Sequence, residues 1–182
     1  ANANSEDIIR GFGLTHDLRC DVLLIDIPLP EEIEEDKFYR TMITAIHRGI
    51  LIAFNLEERE IGYFLSKSPG QDTPYRMVFF ENTTGGTGCL TAMVDRFAFK
   101  QVLSKTQEIL HGNDETGCDE ACYQCLLSFY NQRDHAYLDR HLALDWISDL
   151  CEFEIVEEEI FDQAHFDNLT KQSTYESEKT VL

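Results

Sequence analysis

The chain has 182 residues, 43% of them apolar, and a formal net charge of −19. That length supports one domain of ordinary size with its own core, and no apolar run is long enough to cross a bilayer as a helix. So large an acidic excess excludes a protein that grips nucleic acid through a broadly basic surface, because such binding works by neutralising phosphates with Lys and Arg.

The acidic residues concentrate in Glu31-Glu32-Ile33-Glu34-Glu35-Asp36 and between Glu152 and Glu159, runs that read as solvated faces. The opening Ala-Asn-Ala-Asn-Ser has neither the basic start nor the apolar stretch of a signal peptide. It also lacks an initiating Met, as expected of a piece of a longer chain.

Residues 1–14 read as a lead-in broken by Gly11 and Gly13. The apolar, β-branched run Asp21–Ile27 predicts a strand, stopped by Pro28 and Pro30. Phe38, Met42, Ile43, Ile46, Ile50 and Phe54 recur at helical spacing, which predicts a helix over 34–54 with His47 at its surface or boundary. Residues 60–65 and 75–80 read as two strands of a hairpin joined by the turn-rich Ser68–Pro74. A glycine-rich loop over 81–88 follows, then helical periodicity over 89–111 with a break near Phe97. Leu126–Tyr130 reads as a short helix, Asn131–Asp134 as a loop, Leu138–Leu150 as an amphipathic helix and Glu152–Phe161 as a last strand.

This order is of the α+β class: a small mixed or antiparallel sheet packed with helices, plus a zinc-knuckle helical lobe at about 112–140. One domain is expected over 1–166, with a polar tail at 167–182.

The chemistry concentrates in Cys118-x3-Cys122-x2-Cys125. Three thiolates this close repel one another unless a cation lies between them, and soft sulfur suits a tetrahedral Zn2+. A fourth ligand is required. His135 follows close enough for the chain to fold back, and Cys89 is distant but chemically preferred. Either one closes the site and makes the zinc structural. Cys20 and Cys151 lie among apolar neighbours and read as small core residues. Cysteines gathered for a metal rather than spread for disulfides suit a reducing, cytoplasmic setting.

Three further constellations carry lesser signals. Gly85, Gly86 and Gly88 lie between a strand and a helix, where backbone N–H groups can face a phosphate or DNA. No Lys-Ser/Thr follows, so this is not a Walker loop, and a tight turn needing positive φ explains the glycines equally. Asp26, Glu60 and Glu81 offer carboxylates that a metal-dependent nuclease would have to bring to one sheet edge. Asn131, Gln132 and Arg133, with His135 and Arg140, can touch a phosphate or a partner acid, or simply cap and orient the zinc lobe.

Taken together, Phe80-Glu-Asn-Thr-Thr-Gly85-Gly86-Thr-Gly88, Cys118-x3-Cys122-Tyr-x-Cys125-Leu126 and Asn131-Gln132-x2-His135-x2-Leu138-Asp139-Arg140 resemble the zinc-binding domain at the C-terminal end of MrfA-type DEAD/DEAH-box helicases. The phage-defence protein DrmB is similar in this region. The likeness runs over about residues 20–150.

The resemblance implies a non-catalytic accessory module of a superfamily 2 helicase in DNA repair or phage defence, one that positions DNA or a partner subunit. The partner would be the upstream motor, which hydrolyses ATP, whereas this chain carries no ATPase residues. The family often has a further cysteine shortly before the one matching Cys118. Positions such as Thr116 hold none here, so His135 and Cys89 both stay open as the fourth ligand. A nuclease-like domain and a pure protein-interaction domain are the alternatives, the second favoured by the acidic charge.

Overall fold

The computed structural model describes residues 19–67, 73–83, 86–111 and 118–152. Its elements are β1 (Val22–Asp26), α1 (Glu35–Phe54), β2 (Ile61–Lys67), β3 (Tyr75–Glu81), α2 (Cys89–Ala92), α3 (Arg96–Ile109), a 3-10 turn (His135–Tyr137) and α4 (Arg140–Glu152). The strands form one antiparallel sheet in the order β1-β3-β2, so the α+β expectation holds. The β2–β3 hairpin falls where the alternation placed it.

Side-chain alternation sets which face of the sheet is buried. The central strand turns Met77, Phe79 and Glu81 inward, all fully buried. Leu23 and Tyr63 stand opposite Phe79, and Ile25 and Leu65 opposite Met77, on the same inward face. Helix α1 contributes Phe38, Met42, Ala45, Ile46 and Ile50, all buried, to the same core. Burying side chains of this size stabilises by about 1.5–3 kcal/mol each, which is why a helix whose N-cap, Glu34, makes no side-chain bond still persists over 20 residues. The helix ends at Asn55 in the left-handed region (φ 53°), where Leu56 N–H returns to Leu51 O at 2.8 Å.

Helix α3 packs across α1 at Gly49. A Cβ there would overlap the Thr106 hydroxyl and lie 3.0 Å from Val102 O, so the missing side chain is what admits the second helix. The break expected near Phe97 falls at 93–95 instead, because the Asp95 carboxylate accepts the N–H groups of Phe97 and Ala98 (2.9 and 3.1 Å) and opens a new helix.

Three expectations change. Leu126–Tyr130 is a turn rather than a helix, because Ser128 and Asn131 side chains take over its backbone hydrogen bonds. The helix expected from Leu138 begins at Arg140. His47 is a core residue, 2% exposed, with Nε2 donating to Ile61 O at 2.9 Å and its ring against Tyr63. Burial pushes its pKa down to about 4, against the opposing pull of that hydrogen bond. The lead-in, the predicted last strand and the tail at 167–182 lie outside the described residues. Among the described residues no helix is long and apolar enough to cross a membrane.

Candidate metal centre

Helix α3 closes at Leu110, and the next residue, His111, takes a left-handed backbone (φ 59°). That turn sends its imidazole to the three cysteines. One donor atom each from His111, Cys118, Cys122 and Cys125 lies within 4.8 Å of the others, the one such group of His, Cys or carboxylate side chains among the described residues. The Cys118 and Cys125 sulfurs are 3.8 Å apart, and His111 Nε2 is 3.4 Å from Cys122 Sγ.

A tetrahedral zinc with Zn–S of about 2.3 Å and Zn–N of about 2.05 Å requires S···S and N···S edges of about 3.8 and 3.6 Å. Both observed edges match, so the residues fit the ion. Four protein donors also close the tetrahedron, which is the arrangement of a structural zinc.

The Cys122–Cys125 segment is built as a knuckle. Cys125, Leu126 and Leu127 all donate their N–H to Cys122 O (3.1, 3.1 and 2.9 Å), and Cys122 N–H donates to Cys125 Sγ at 3.0 Å. Burial opposes ionisation of Cys122. Hydrogen bonds from His111 and from the N–H groups of Gln124 and Cys125 outweigh it and bring the pKa down to about 6. Cys118 is pushed up to about 12, first by burial and then by its bonds to the neighbouring thiols. Thiols this close oppose one another's ionisation, the charge problem that a divalent cation resolves.

Arginines hold the cysteine backbone from two sides. Arg140, 3% exposed at the start of α4, sends Nε to Cys118 O (3.0 Å) and Asp119 O (3.2 Å) and a second nitrogen to Leu110 O at 3.2 Å. One guanidinium thus ties the end of α3 to the first cysteine. Its own N–H donates to Glu120 O at 2.7 Å. From α1, Arg48 Nε donates to Cys125 O at 3.0 Å. The sequence suggested a phosphate contact for Arg140. In the fold it is buried under the metal loop, where its fork of donors satisfies carbonyls left over at the helix end.

The other residues singled out by sequence are distributed as follows. His135 is not in the cluster: its Nε2 lies 3.0 Å from Ser128 O and 2.9 Å from Asn131 Oδ1. Cys89 is not in it either, but buried with its Sγ 3.4 Å from Glu81, and burial pushes its pKa up to about 11. Asn131 is buried, donating to Leu126 O (2.7 Å) and accepting from Ser128 N (2.8 Å), so it braces the turn. Gln132 and Arg133 are exposed on that turn.

Gly86 and Gly88 adopt φ of +71° and +73°, the conformation that the turn requires; Gly85 lies outside the described residues. The donors of this loop point at an anion within the chain. The N–H groups of Thr87, Gly88 (3.1 Å) and Leu90 (3.1 Å) all donate to the Glu81 carboxylate. Burial alone would raise the Glu81 pKa, but these bonds hold it below the usual carboxylate range. Glu81 therefore occupies the place that a phosphate would take.

The three carboxylates proposed for a nuclease do not gather into one cluster among the described residues. Asp26 pairs with Arg76 (2.8 and 2.6 Å) and Glu60 accepts from Glu57 N–H. Asp26 stands opposite Arg76, about 17 Å along β3 from Glu81 at about 3.4 Å per residue.

Sequence reasoning missed His111. Its signal is a histidine at the predicted end of a helix directly before a three-cysteine motif, where the resembling family often has a cysteine instead.

A small α+β fold whose third helix is closed onto a cysteine knuckle by a Cys3His donor set defines a structural-zinc domain. Residues 42–126 match the family model described as MZB, the MrfA Zn-binding domain, a span that includes α1, the hairpin, His111 and all three cysteines. Over those residues the chain is similar to an MrfA-type zinc-binding domain. No curated protein matches it. Among solved structures it is similar to one titled "Crystal Structure of DUF1998 helicase MrfA bound to DNA", with 10% sequence identity and a TM-score of 0.50, over 71% of this chain and 17% of that one. At that identity the likeness speaks for the fold, and the chain spans about a sixth of the matched helicase.

Proposed function

We propose that this chain is a non-catalytic, zinc-braced accessory module that positions DNA beside the motor of a superfamily 2 helicase, in DNA repair or phage defence. The observation that carries the proposal is the four-donor cluster of His111, Cys118, Cys122 and Cys125. It joins the end of α3 to the lobe that precedes α4, elements that share a core with the sheet. The MrfA family match supports a helicase setting, and the similar solved structure is of a helicase with DNA bound. Three of the six cysteines are gathered for a metal rather than spread for disulfides, which suits the cytoplasm.

We assign His111 as the fourth ligand in place of His135 or Cys89. The test is zinc content per chain after purification, read with thermal unfolding. One zinc is expected, lost in Cys122→Ser and Cys125→Ser together with the lobe's cooperative unfolding. His111→Ala should lower zinc affinity sharply, while His135→Ala leaves zinc bound. A Cys122→Ser/Cys125→Ser double variant that melts unchanged would sink the structural role. A zinc-loaded chain that binds no DNA, single-stranded or duplex, would sink the positioning role.

A further inference from the structure

Beside the metal knuckle, the turn from Tyr123 to Tyr130 holds three large side chains in solvent. Tyr123 is 67% exposed, Phe129 75% and Tyr130 56%. Such rings are ordinarily buried, and the backbone of the turn that carries them is pinned by side-chain hydrogen bonds. Ser128 Oγ accepts the N–H of Tyr130 and Asn131 (3.1 and 3.3 Å), and Asn131 Oδ1 accepts Ser128 N–H. Phe129 and Tyr130 meet edge to face at 5.6 Å. His135 links the other ring to the turn: it meets Tyr123 edge-on at 5.9 Å, and its Nε2 sits 3.0 Å from the carbonyl of Ser128, the residue before Phe129.

Cationic side chains accompany the rings. The Arg59 guanidinium lies 5.3 Å from the Tyr130 ring centre and donates to its hydroxyl at 2.9 Å, and Arg133 is exposed on the adjoining turn. Preordered aromatic faces with interleaved arginine are what unstacked bases bind, at little ordering cost to the protein.

We infer that Tyr123, Phe129 and Tyr130, with Arg59 and Arg133, form a base-stacking platform for single-stranded DNA. This rests on the DNA-positioning role proposed above and names the strand and the face. In a chain of net charge −19 the stacking, not phosphate neutralisation, supplies the affinity. Duplex DNA keeps its base faces covered and gains nothing from these rings. Two exposed arginines limit the dependence of log K on log salt for a single strand to a slope of about −1.4.

The experiment is fluorescence anisotropy of the zinc-loaded chain with labelled oligo-dT of about 15 nucleotides and with a duplex of the same length, at low salt. Phe129→Ala and Tyr130→Ala should each weaken oligo-dT binding by roughly 5- to 150-fold, the worth of one stacked base. Both variants should keep zinc and melting temperature, because the rings are exposed. Tyr130→Phe keeps the ring and loses only the tether to Arg59, so it should lose far less affinity than Tyr130→Ala, and the salt slope should stay shallow. If DNA binds but the alanine variants bind equally well, the platform is wrong, the rings serve a protein contact, and the DNA-positioning role stands. If neither single strand nor duplex binds, the platform and DNA positioning fall together.

Discussion

Replacing Glu81 with glutamine tests whether a buried carboxylate, rather than an external anion, organises the glycine loop. In the native chain one oxygen accepts Thr87 and Gly88 N–H and the other accepts Leu90 N–H with the Cys89 thiol alongside. A glutamine has one acceptor oxygen. In its better orientation it keeps the Thr87 and Gly88 bonds and turns its NH2 toward Leu90 N–H, so that donor faces donor. A hydrogen bond to a charged group contributes about 1.5–3 kcal/mol. Losing the Leu90 bond and the charge assistance on the other two, less the relief of burying a neutral group, gives a net loss of about 2–4 kcal/mol. For a chain of this length that is a fall in melting temperature of roughly 4–16 °C.

The assay is urea unfolding followed by circular dichroism in zinc-containing buffer, with the midpoint shifting at constant slope. The linkage has a definite sign. The Glu81 pKa is lowered on folding, so its contribution is present above the unfolded carboxylate pKa and is lost as pH falls through the folded one. The glutamine variant should lack that component. A Glu81→Gln chain within about 0.5 kcal/mol of the parent at neutral pH would refute the reasoning.

Other substitutions test separate joints. Arg140→Met should cost about 2–4 kcal/mol, because it strands the buried Leu110 carbonyl and removes the bonds to the half-buried Cys118 carbonyl and to Asp119 O, and should weaken zinc roughly 10- to 100-fold; competition with a colorimetric chelator reads the second effect. His47 falls from the ordinary 6.5 to about 4 on folding. The unfolded chain therefore binds the extra proton between those values, and stability drops as pH falls from about 6.5 toward 4, by about 3 kcal/mol at the limit. His47→Gln should remove that part of the pH profile when the two chains are compared by denaturant unfolding. Gly49→Ala should destabilise by about 1–3 kcal/mol despite alanine's better helix propensity, because the new methyl meets Thr106 of the crossing helix; differential scanning calorimetry would show it.

Local periodicity was enough for α1 and the β2–β3 hairpin, but it left the sheet mixed or antiparallel until the pairing of β1 with β3 decided it. The apolar spacing of Phe38 to Phe54 and the alternation in Tyr75–Phe80 admit one buried face each. The three cysteines were legible for a related reason: short spacing in the chain constrains them to lie close in space. What the sequence could not rank was any partner reached through the tertiary fold. His111 and His135 flank the knuckle on either side, and only the left-handed turn after α3 decides which imidazole reaches the sulfurs. Glu81, Asn131 and Arg140 read as free polar groups suited to a metal or a phosphate. Packing buried all three against unpaired backbone donors and carbonyls, and a buried polar group bonds to whatever the fold places beside it.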